Sequence, residues 1–475
     1  MESICVRRTL QADEKRVVTS MDLMAWGDNP SYGSRMNSVD PAAIDVSTVV
    51  DVCADLIRID TQNFGDDPKS MPERPAADYV VEYLKRYGYD PVIIESKPGR
   101  ANVILRVPGS DPELPALVVH GHLDVVPAIR EDWTVDPFAG EVKDGYVWGR
   151  GAVDMKNMDA MILVVLADMK IRGWQPEREL IVAFFADEEA GGVWGAQWLV
   201  DHHPELFEGA TEAISEVGGY SVRVGDETVY LIQTGEKGMD WLTLTAHGRP
   251  GHGSQVNNEN AITKLASAIT RIGEWDWPIQ LTDTVRTLLL KVSEITGVPF
   301  SEDPKDLAAL VAELGPAAPF VGATLSTQAN PTRLGGGYKE NVIPGSATGA
   351  VDMSPLPGTE DEAHAIIEDL AGEGVDVSSI VRTTGFEVSF ETEIVERMSQ
   401  ALLAEDPAAI IVPYLMSGGT DNKPLKSLGI NGYGFVPMAL PADFNFSAMF
   451  HGNDERIPVA SLEFGTRALA RFLAS

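Results

Sequence analysis

Val118-Val119-His120-Gly121-His122-Leu123-Asp124 carries an apolar, β-branched run straight into a His-x-Asp pair, and Phe184-Phe185-Ala186-Asp187-Glu188-Glu189 does the same with a doubled carboxylate. Apolar runs of this length, bounded by polar clusters, read as strands buried on both faces, as in a parallel sheet covered by helices. In open sheets of that kind sites form outside the carboxyl ends of the strands, and each cluster stands just past such an end. Between them, Trp148-Gly149-Arg150-Gly151-Ala152-Val153-Asp154-Met155-Lys156 delivers another carboxylate from a glycine-rich turn. Three anionic clusters are too costly to gather in one cavity unless something positive neutralises them. A divalent metal is the simplest answer, so the pattern predicts a metalloenzyme.

His122 and Asp124 are two residues apart, so extended backbone points them the same way. A carboxylate beside a ligating histidine fixes its tautomer and raises its basicity. Glu188 and Glu189 are adjacent and cannot both face one atom; one can bind metal while the other reaches toward a bound water as base. Glu216 follows Ala213-Ile214-Ser215, Gly418-Gly419-Thr420-Asp421 forms a loop after a strand, and His451 follows the apolar-rich segment 444–450. Singly, these three read as well as a turn acid, an ordinary turn and a satisfied histidine. His252 lies in the loop Arg249-Pro250-Gly251-His252-Gly253-Ser254, and His202, His203, His247 and His364 have no supporting context.

Working outward, periodicity and punctuation predict helices over 46–59 and 74–87, then strands at 92–95, 102–107 and 116–120. A helix over 158–172, strand 180–186, helix 193–202 and strand 213–215 continue the α/β alternation, a mostly parallel central sheet flanked by helices. After Lys237-Gly238 the order changes to strand 241–246, helix 261–272, strands 324–334 and 347–353, helix 360–371 and strand 375–382. This βαββαβ series predicts a two-layer domain, with a helical insertion near 275–321. A helix over 391–403, strand 409–415 and helix 459–473 then resume the first pattern. The predicted organisation is a discontinuous catalytic domain, 41–235 and 386–475, interrupted by a lid or dimerisation domain, 236–385.

The 475 residues carry a formal net charge of −34, which argues against nucleic acid or an anionic membrane as partner. Two cysteines exclude a disulfide framework and fit a reducing cytoplasm. No apolar run is long enough to span a membrane. Residues 1–40 are polar, lack the apolar stretch of an export signal, and are expected to form a disordered arm with Met21, Met24 and Met36 as alternative starts.

Taken together, these segments resemble the co-catalytic zinc exopeptidase and deacylase family that includes carboxypeptidase G, carboxypeptidase S, aminoacylase, acetylornithine deacetylase and succinyl-diaminopimelate desuccinylase. The resemblance spans roughly residues 45–475. It is supported by Lys237-Gly238, Gly251-His252-Gly253-Ser254, Asn260-Ala261-Ile262, Asn341-Val342-Ile343-Pro344, Ser417-Gly418-Gly419-Thr420-Asp421 and His451 followed by Glu455. It implies His122, Asp154, Glu189, Glu216 and His451 as ligands of two zinc ions, with cobalt or manganese as substitutes. Asp154 would bridge, with His122 and Glu216 on one ion and Glu189 and His451 on the other. It further implies that Asp124 orients His122, that Glu188 is general base and acid, and that His252 stabilises the oxyanion through lid closure or across a homodimer. Asn341, Arg333, Gly418, Gly419 and Thr420 are the substrate-binding candidates. Two ions about 3.5–4 Å apart would activate a shared water.

One departure stands out. Where the family commonly places an arginine in an Asp-x-Arg-x-x-Pro-Gly segment, this chain reads Asp352-Met353-Ser354-Pro355-Leu356-Pro357-Gly358. A hydroxyl cannot make the bidentate contact of a guanidinium. Either another cation such as Arg333 takes over, or the substrate lacks a free carboxylate there.

The expected activity is hydrolysis of an amide bond in dipeptides or N-acyl amino acids, a deacylase of the desuccinylase or deacetylase type being the alternative within the class. From another class, a catalytically silent zinc-binding regulator could use the same scaffold. No Gly-x-Ser-x-Gly elbow supports a serine hydrolase, and Gly191-Gly192-Val193-Trp194-Gly195 lacks phosphate-loop spacing. A chain starting at Met36 is expected to keep its fold and activity; circular dichroism and a turnover assay check this, and loss of either refutes the reading of the arm as dispensable.

Overall fold

A strand with no polar face is stable only in the middle of a sheet. The computed structural model, which describes Asp40 and residues 43–475, places both apolar runs there. The disordered arm expected from the sequence falls, Asp40 apart, outside the described residues. Strand Ala116–His122 runs parallel to Leu180–Phe185 on one side and to Ala210–Ser215 on the other, and Asn431–Gly434 extends the parallel set. Antiparallel strands complete this ten-stranded sheet at its edges, and Ile410–Met416 pairs parallel with Glu227–Glu236. The central strands feed both sides of the sheet alternately. Leu117 and Val119 enter one apolar cluster and Ala116 and Val118 the other. Leu180, Val182 and Phe184 likewise oppose Ile181, Ala183 and Phe185.

On the first side lie helices Val49–Arg58, Arg74–Arg86, Lys156–Arg172, Glu393–Glu405 and Val459–Leu473. Lys156–Arg172 is apolar almost all round, and it is buried nearly throughout, against Val49–Arg58 and Val459–Leu473. These elements agree with the sequence reading to within a few residues.

The βαββαβ series forms a separate four-stranded antiparallel sheet in the order Gln328–Gly336, Ser346–Ser354, Met239–His247, Val375–Thr383. Helices Ala261–Gly273 and Glu360–Ala371 cover one face, and Leu242, Leu244 and Ala246 alternate inward to meet them. The insertion behaves differently from what its position in the chain suggests. Val285, Leu288, Leu289 and Val292 of helix Asp283–Thr296, with Leu307 and Leu310 of helix Pro304–Ala312, join the core of the large sheet, and Asp283–Thr296 packs on Ile410–Met416.

Strands Tyr220–Val224, Glu227–Glu236 and Asn431–Gly434 were not anticipated. The last is Asn-Gly-Tyr-Gly, poor in strand formers. Its glycines serve close approach: a Cβ on Gly432 would lie 2.4 Å from the Asn422 side chain, and one on Gly434 2.5 Å from the Glu216 carbonyl. A small sheet of Glu141–Lys143, Tyr146–Trp148 and Arg456–Pro458 was also missed; it ties the chain just past His451 to the chain just before the Asp154 turn. Among the described residues no helix is long and apolar enough to cross a membrane.

Leu289 is fully buried against the large sheet, so Leu289→Ala is expected to lower stability by about 2–5 kcal/mol. Chemical denaturation followed by far-ultraviolet circular dichroism measures this; a loss under about 0.5 kcal/mol, the range of surface substitutions, would contradict the packing of the insertion on the catalytic core.

Candidate metal centre

Each donor arrives from a different strand end or turn. His122 ends the buried strand Ala116–His122. Glu188 and Glu189 open a short 3-10 turn after Leu180–Phe185, entered through Asp187 at φ 68°. Glu216 follows Ala210–Ser215 directly. Asp154 hangs from the turn in which Gly149 and Gly151 take φ 149° and 88°. A Cβ on Gly149 would stand 2.4 Å from Ile57 and one on Gly151 2.8 Å from Val125, so only glycine lets this turn pass. His451, at φ 57°, comes from the loop before Arg456–Pro458.

The five converge as two groups sharing one residue: His122, Asp154 and Glu216, and Asp154, Glu189 and His451, the donor atoms in each lying within 4.8 Å of one another. Asp154 Oδ1 is 3.0 Å from His122 Nε2, and its Oδ2 is 3.3 Å from His451 Nε2. Glu216 Oε1 is 3.8 Å from His122 Nε2, and Glu189 Oε2 is 3.3 Å from His451 Nε2. Glu188 Oε2 stands 4.0 Å from His122 Nε2, outside both groups. The His122 side chain is 1 % exposed and that of His451 58 %, so the centre is closed at one end and open at the other.

The electrostatics are those of a site waiting for positive charge. Burial, then the Asp154 charge, pushes Glu189 and Glu216 up to about 7. Burial and the Glu216 charge raise Glu188 well above the carboxylate range. Burial also opposes ionisation of Asp154, but His122 and His451 outweigh it and hold its carboxyl low. Hydrogen bonds to Asp154 and Glu189 raise His451 to about 10. Carboxylates that resist ionisation because they repel one another are relieved by a cation, and imidazole plus carboxylate is a donor set suited to zinc and similar divalent ions. Bonds of about 2 Å to such an ion can span donor atoms this close.

Two further carboxylates hold the donors rather than join them. His122 Nδ1 is 3.0 Å from the Asp124 backbone carbonyl and 3.6 Å from its carboxylate. That carboxylate is engaged elsewhere, accepting the backbone N–H of Glu188 and of Glu189, each at 3.1 Å, and the Asn63 amide at 2.8 Å. Asn63 also donates to Asp187 at 3.0 Å and accepts from Arg100, which pairs with Glu73. Glu455, fully buried, accepts from Arg150 at 2.7 Å and from the backbone N–H groups of Gly151, Val153 and Asp154 at 3.0, 2.7 and 3.1 Å. One carboxylate therefore fastens the Asp154 turn to the His451 loop. Asn63 and Glu455 received no role from the sequence; a buried acid four residues past a ligand was the available signal for the second.

The remaining candidates lie in separate places. His252 is exposed in a two-stranded ribbon with Val342–Ile343, its ring 2.8 Å from Ser254, and the Asn341 carbonyl accepts the Gly253 N–H at 2.9 Å. His252 and Asn341 are thus neighbours, but neither bonds to the metal-binding donors. Arg333 is exposed on the strand Gln328–Gly336 opposite Ala350, whereas Ser354 pairs with Gln328 at the other end of that strand. Thr420 is buried, with its N–H and hydroxyl on the Glu236 carboxylate at 2.9 and 2.6 Å. The loop 418–421 borders the glutamate turn: a Cβ on Gly192 would lie 3.0 Å from Asp421 Oδ1.

Glu455→Gln is expected to weaken metal affinity about 10- to 100-fold, as loss of a supporting contact does, because the Asp154 turn loses its anionic anchor. Chelator competition on metal-loaded protein reads the change, and unaltered affinity would show that the turn holds itself.

Comparison with known proteins places the chain in a family. The model of the peptidase family M20/M25/M40 matches residues 118–475. The N-fatty-acyl-amino acid synthase/hydrolase PM20D1 of Xenopus tropicalis is 28% identical over 435 residues, covering 87% of this chain and 83% of its own. Aminoacylase-1 of Homo sapiens is 26% identical, covering 84% of this chain and 89% of its own. Among solved structures, the M20 family metallo-carboxypeptidase Sso-CP2 from Sulfolobus solfataricus superposes with a TM-score of 0.70 at 15% identity, covering 90% of this chain and 98% of its own. With its family model matched from the His122 strand to the C-terminal helix and its donors gathered at the sheet's strand ends, this chain belongs to the peptidase family M20/M25/M40 and is a metal-binding hydrolase.

Proposed function

We propose that the protein hydrolyses the amide bond of N-acyl amino acids or dipeptides, with one divalent ion, zinc by preference, in each of the two donor groups that share Asp154. The carrying observation is the geometry of Asp154, one oxygen toward each histidine, with Glu188 beside the pair but outside it. Cations bound there would supply Lewis acidity to the scissile carbonyl and to the attacking water. Glu188 takes the proton of that water and returns it to the leaving nitrogen. Asp124 fixes Glu188 and Glu189 relative to one another through their backbone N–H groups, so that base and ligand keep their separate aims. His252 reaches the oxyanion by closure of the inserted domain or from a second copy paired through that domain. Support for the acyl-amino-acid substrates comes from the relatives at 26% and 28% identity, which are named for them.

Metal-loaded protein assayed against a panel of N-acyl amino acids and dipeptides is expected to release amino acid, and silence across the panel with two ions bound would favour the non-catalytic zinc-binding protein instead. Glu188→Gln is expected to lower kcat by at least about 10²–10⁴-fold, the contribution of a general base, while elemental analysis still finds both ions. Retained turnover in that variant would reject Glu188 as the base.

A further inference from the structure

Among the described residues, Lys156 and Lys237 are buried around the large sheet, and each ammonium is held by two backbone carbonyls. Lys156 donates to the carbonyls of Leu56 and Ile59, and Lys237 to those of Ala323 and Ser326. Lys423 differs. Its ammonium is buried and has no hydrogen-bond partner among the described residues. It sits on the short helix Asn422–Lys426, directly after the loop that borders the glutamate turn. Its side chain folds back over Gly419, where a Cβ would stand 1.9 Å from Nζ and 2.7 Å from Cε. A side chain at this position would therefore have to displace the ammonium from its present place.

The charges facing Nζ are Glu236, Glu188 and Glu360. None hydrogen-bonds to it. Glu236 is occupied by the Thr420 N–H and hydroxyl and by the Gln233 amide, and Glu360 accepts the Gly385 N–H. Keeping a cation buried without a hydrogen bond is costly, and here burial depresses its pKa. Such a cation is accounted for by a ligand that completes it. The position beside Glu188 restricts that ligand to something bound during the reaction. Beside His122, the charged groups that act most strongly on Glu188 are carboxylates: Glu216, Asp421 and Glu189. An anionic substrate end approaching such a wall, on a chain of net charge −34, needs a local cation. Arg333 does not supply it, being exposed and paired with Ala350, five residues along its strand from Gln328, the partner of Ser354.

We propose that Lys423 binds the free carboxylate of the substrate across the side-chain-free surface of Gly418-Gly419, holding the scissile amide toward Glu188. This rests on the amide-hydrolase reading and adds to it the residue that recognises the carboxylate on the leaving amine. Lys423 is a specificity residue in this scheme, and the alternative is a counter-ion that steadies Glu236 at the start of the inserted domain.

The test uses the metal-loaded full chain and two probes that differ only at the carboxyl group, N-acetyl-L-leucine and N-acetyl-L-leucinamide. Lys423→Met is expected to lower kcat/KM for the acid by about 30- to 100-fold, the scale of a charge-assisted hydrogen bond, chiefly through KM. The amide should change less than about threefold on the same scale. Lys423→Arg should restore part of the loss. Gly419→Ala, which displaces the ammonium without removing it, should also penalise the acid selectively. Equal losses on acid and amide, or none on either, overturn the proposal and leave Lys423 as a counter-ion. If the wild type turns over neither probe, the panel of N-acyl amino acids and dipeptides decides the amide-hydrolase reading, and calorimetric binding of N-acetyl-L-leucine decides Lys423 separately. Binding to wild type that Lys423→Met abolishes supports the carboxylate site; equal binding to both, or none to wild type, refutes it.

Discussion

Four carboxylates gathered at the ends of buried strands repel one another, and the rest of the molecule is arranged around relieving that repulsion. Asp154, Glu188, Glu189 and Glu216 sit where water is scarce and the effective dielectric low, so each unbalanced charge is expensive. Two imidazoles neutralise part of the cost, and Asp154 profits most because both face it. Glu189 and Glu216 remain raised to about 7. That residue of unfavourable charge is the physical argument for cations, independent of any likeness to other proteins.

Holding the donors is a separate task from being a donor, and carboxylates perform it as well. Asp124 and Glu455 are both fully buried and both bond to backbone N–H groups. A carboxylate accepting several N–H bonds stabilises a turn without adding a side chain to the cavity. Each joins segments far apart in the chain: Asp124 with the Glu188 turn and Asn63, Glu455 with the Asp154 turn. Asp124 faces His122 as well, chiefly through its backbone. Its backbone carbonyl is nearer the His122 ring than its carboxylate is, and the carboxylate is committed to the glutamate turn.

Burial also settles where the insertion belongs. Helices Asp283–Thr296 and Pro304–Ala312 interrupt the small antiparallel domain in sequence, yet their apolar faces add to the large core. The chain therefore crosses from the small sheet to the large one and back between Gly273 and Gln328. Lys237, whose ammonium holds the Ala323 and Ser326 carbonyls, pins the return of that excursion to the start of the small domain.

The α/β alternation and the βαββαβ domain were legible in the sequence because each rests on local pattern, apolar runs of strand length and helical periodicity. The clusters at His122, Asp154 and Glu188-Glu189 were legible in the same way, whereas Glu216 and His451 joined them only through the family resemblance. Asn431–Gly434 was invisible because its glycines are dictated by Asn422 and Glu216, neighbours remote in the chain. The same holds for Asn63, an ordinary polar residue until folding places it against Asp124; Glu455 was visible as a motif match, but not its hold on the Asp154 turn. Arg333 was a reasonable cation by charge and proximity in sequence to Ser354, and strand register carried it away. The sequence by itself determined that carboxylates and histidine gather at the ends of buried parallel strands, a pattern that calls for a cation. Only the tertiary structure decided which oxygen of Asp154 meets which histidine, which carboxylates hold turns, and which lysine ammonium is buried without a hydrogen bond among the described residues, because those depend on distances between segments that no local pattern encodes.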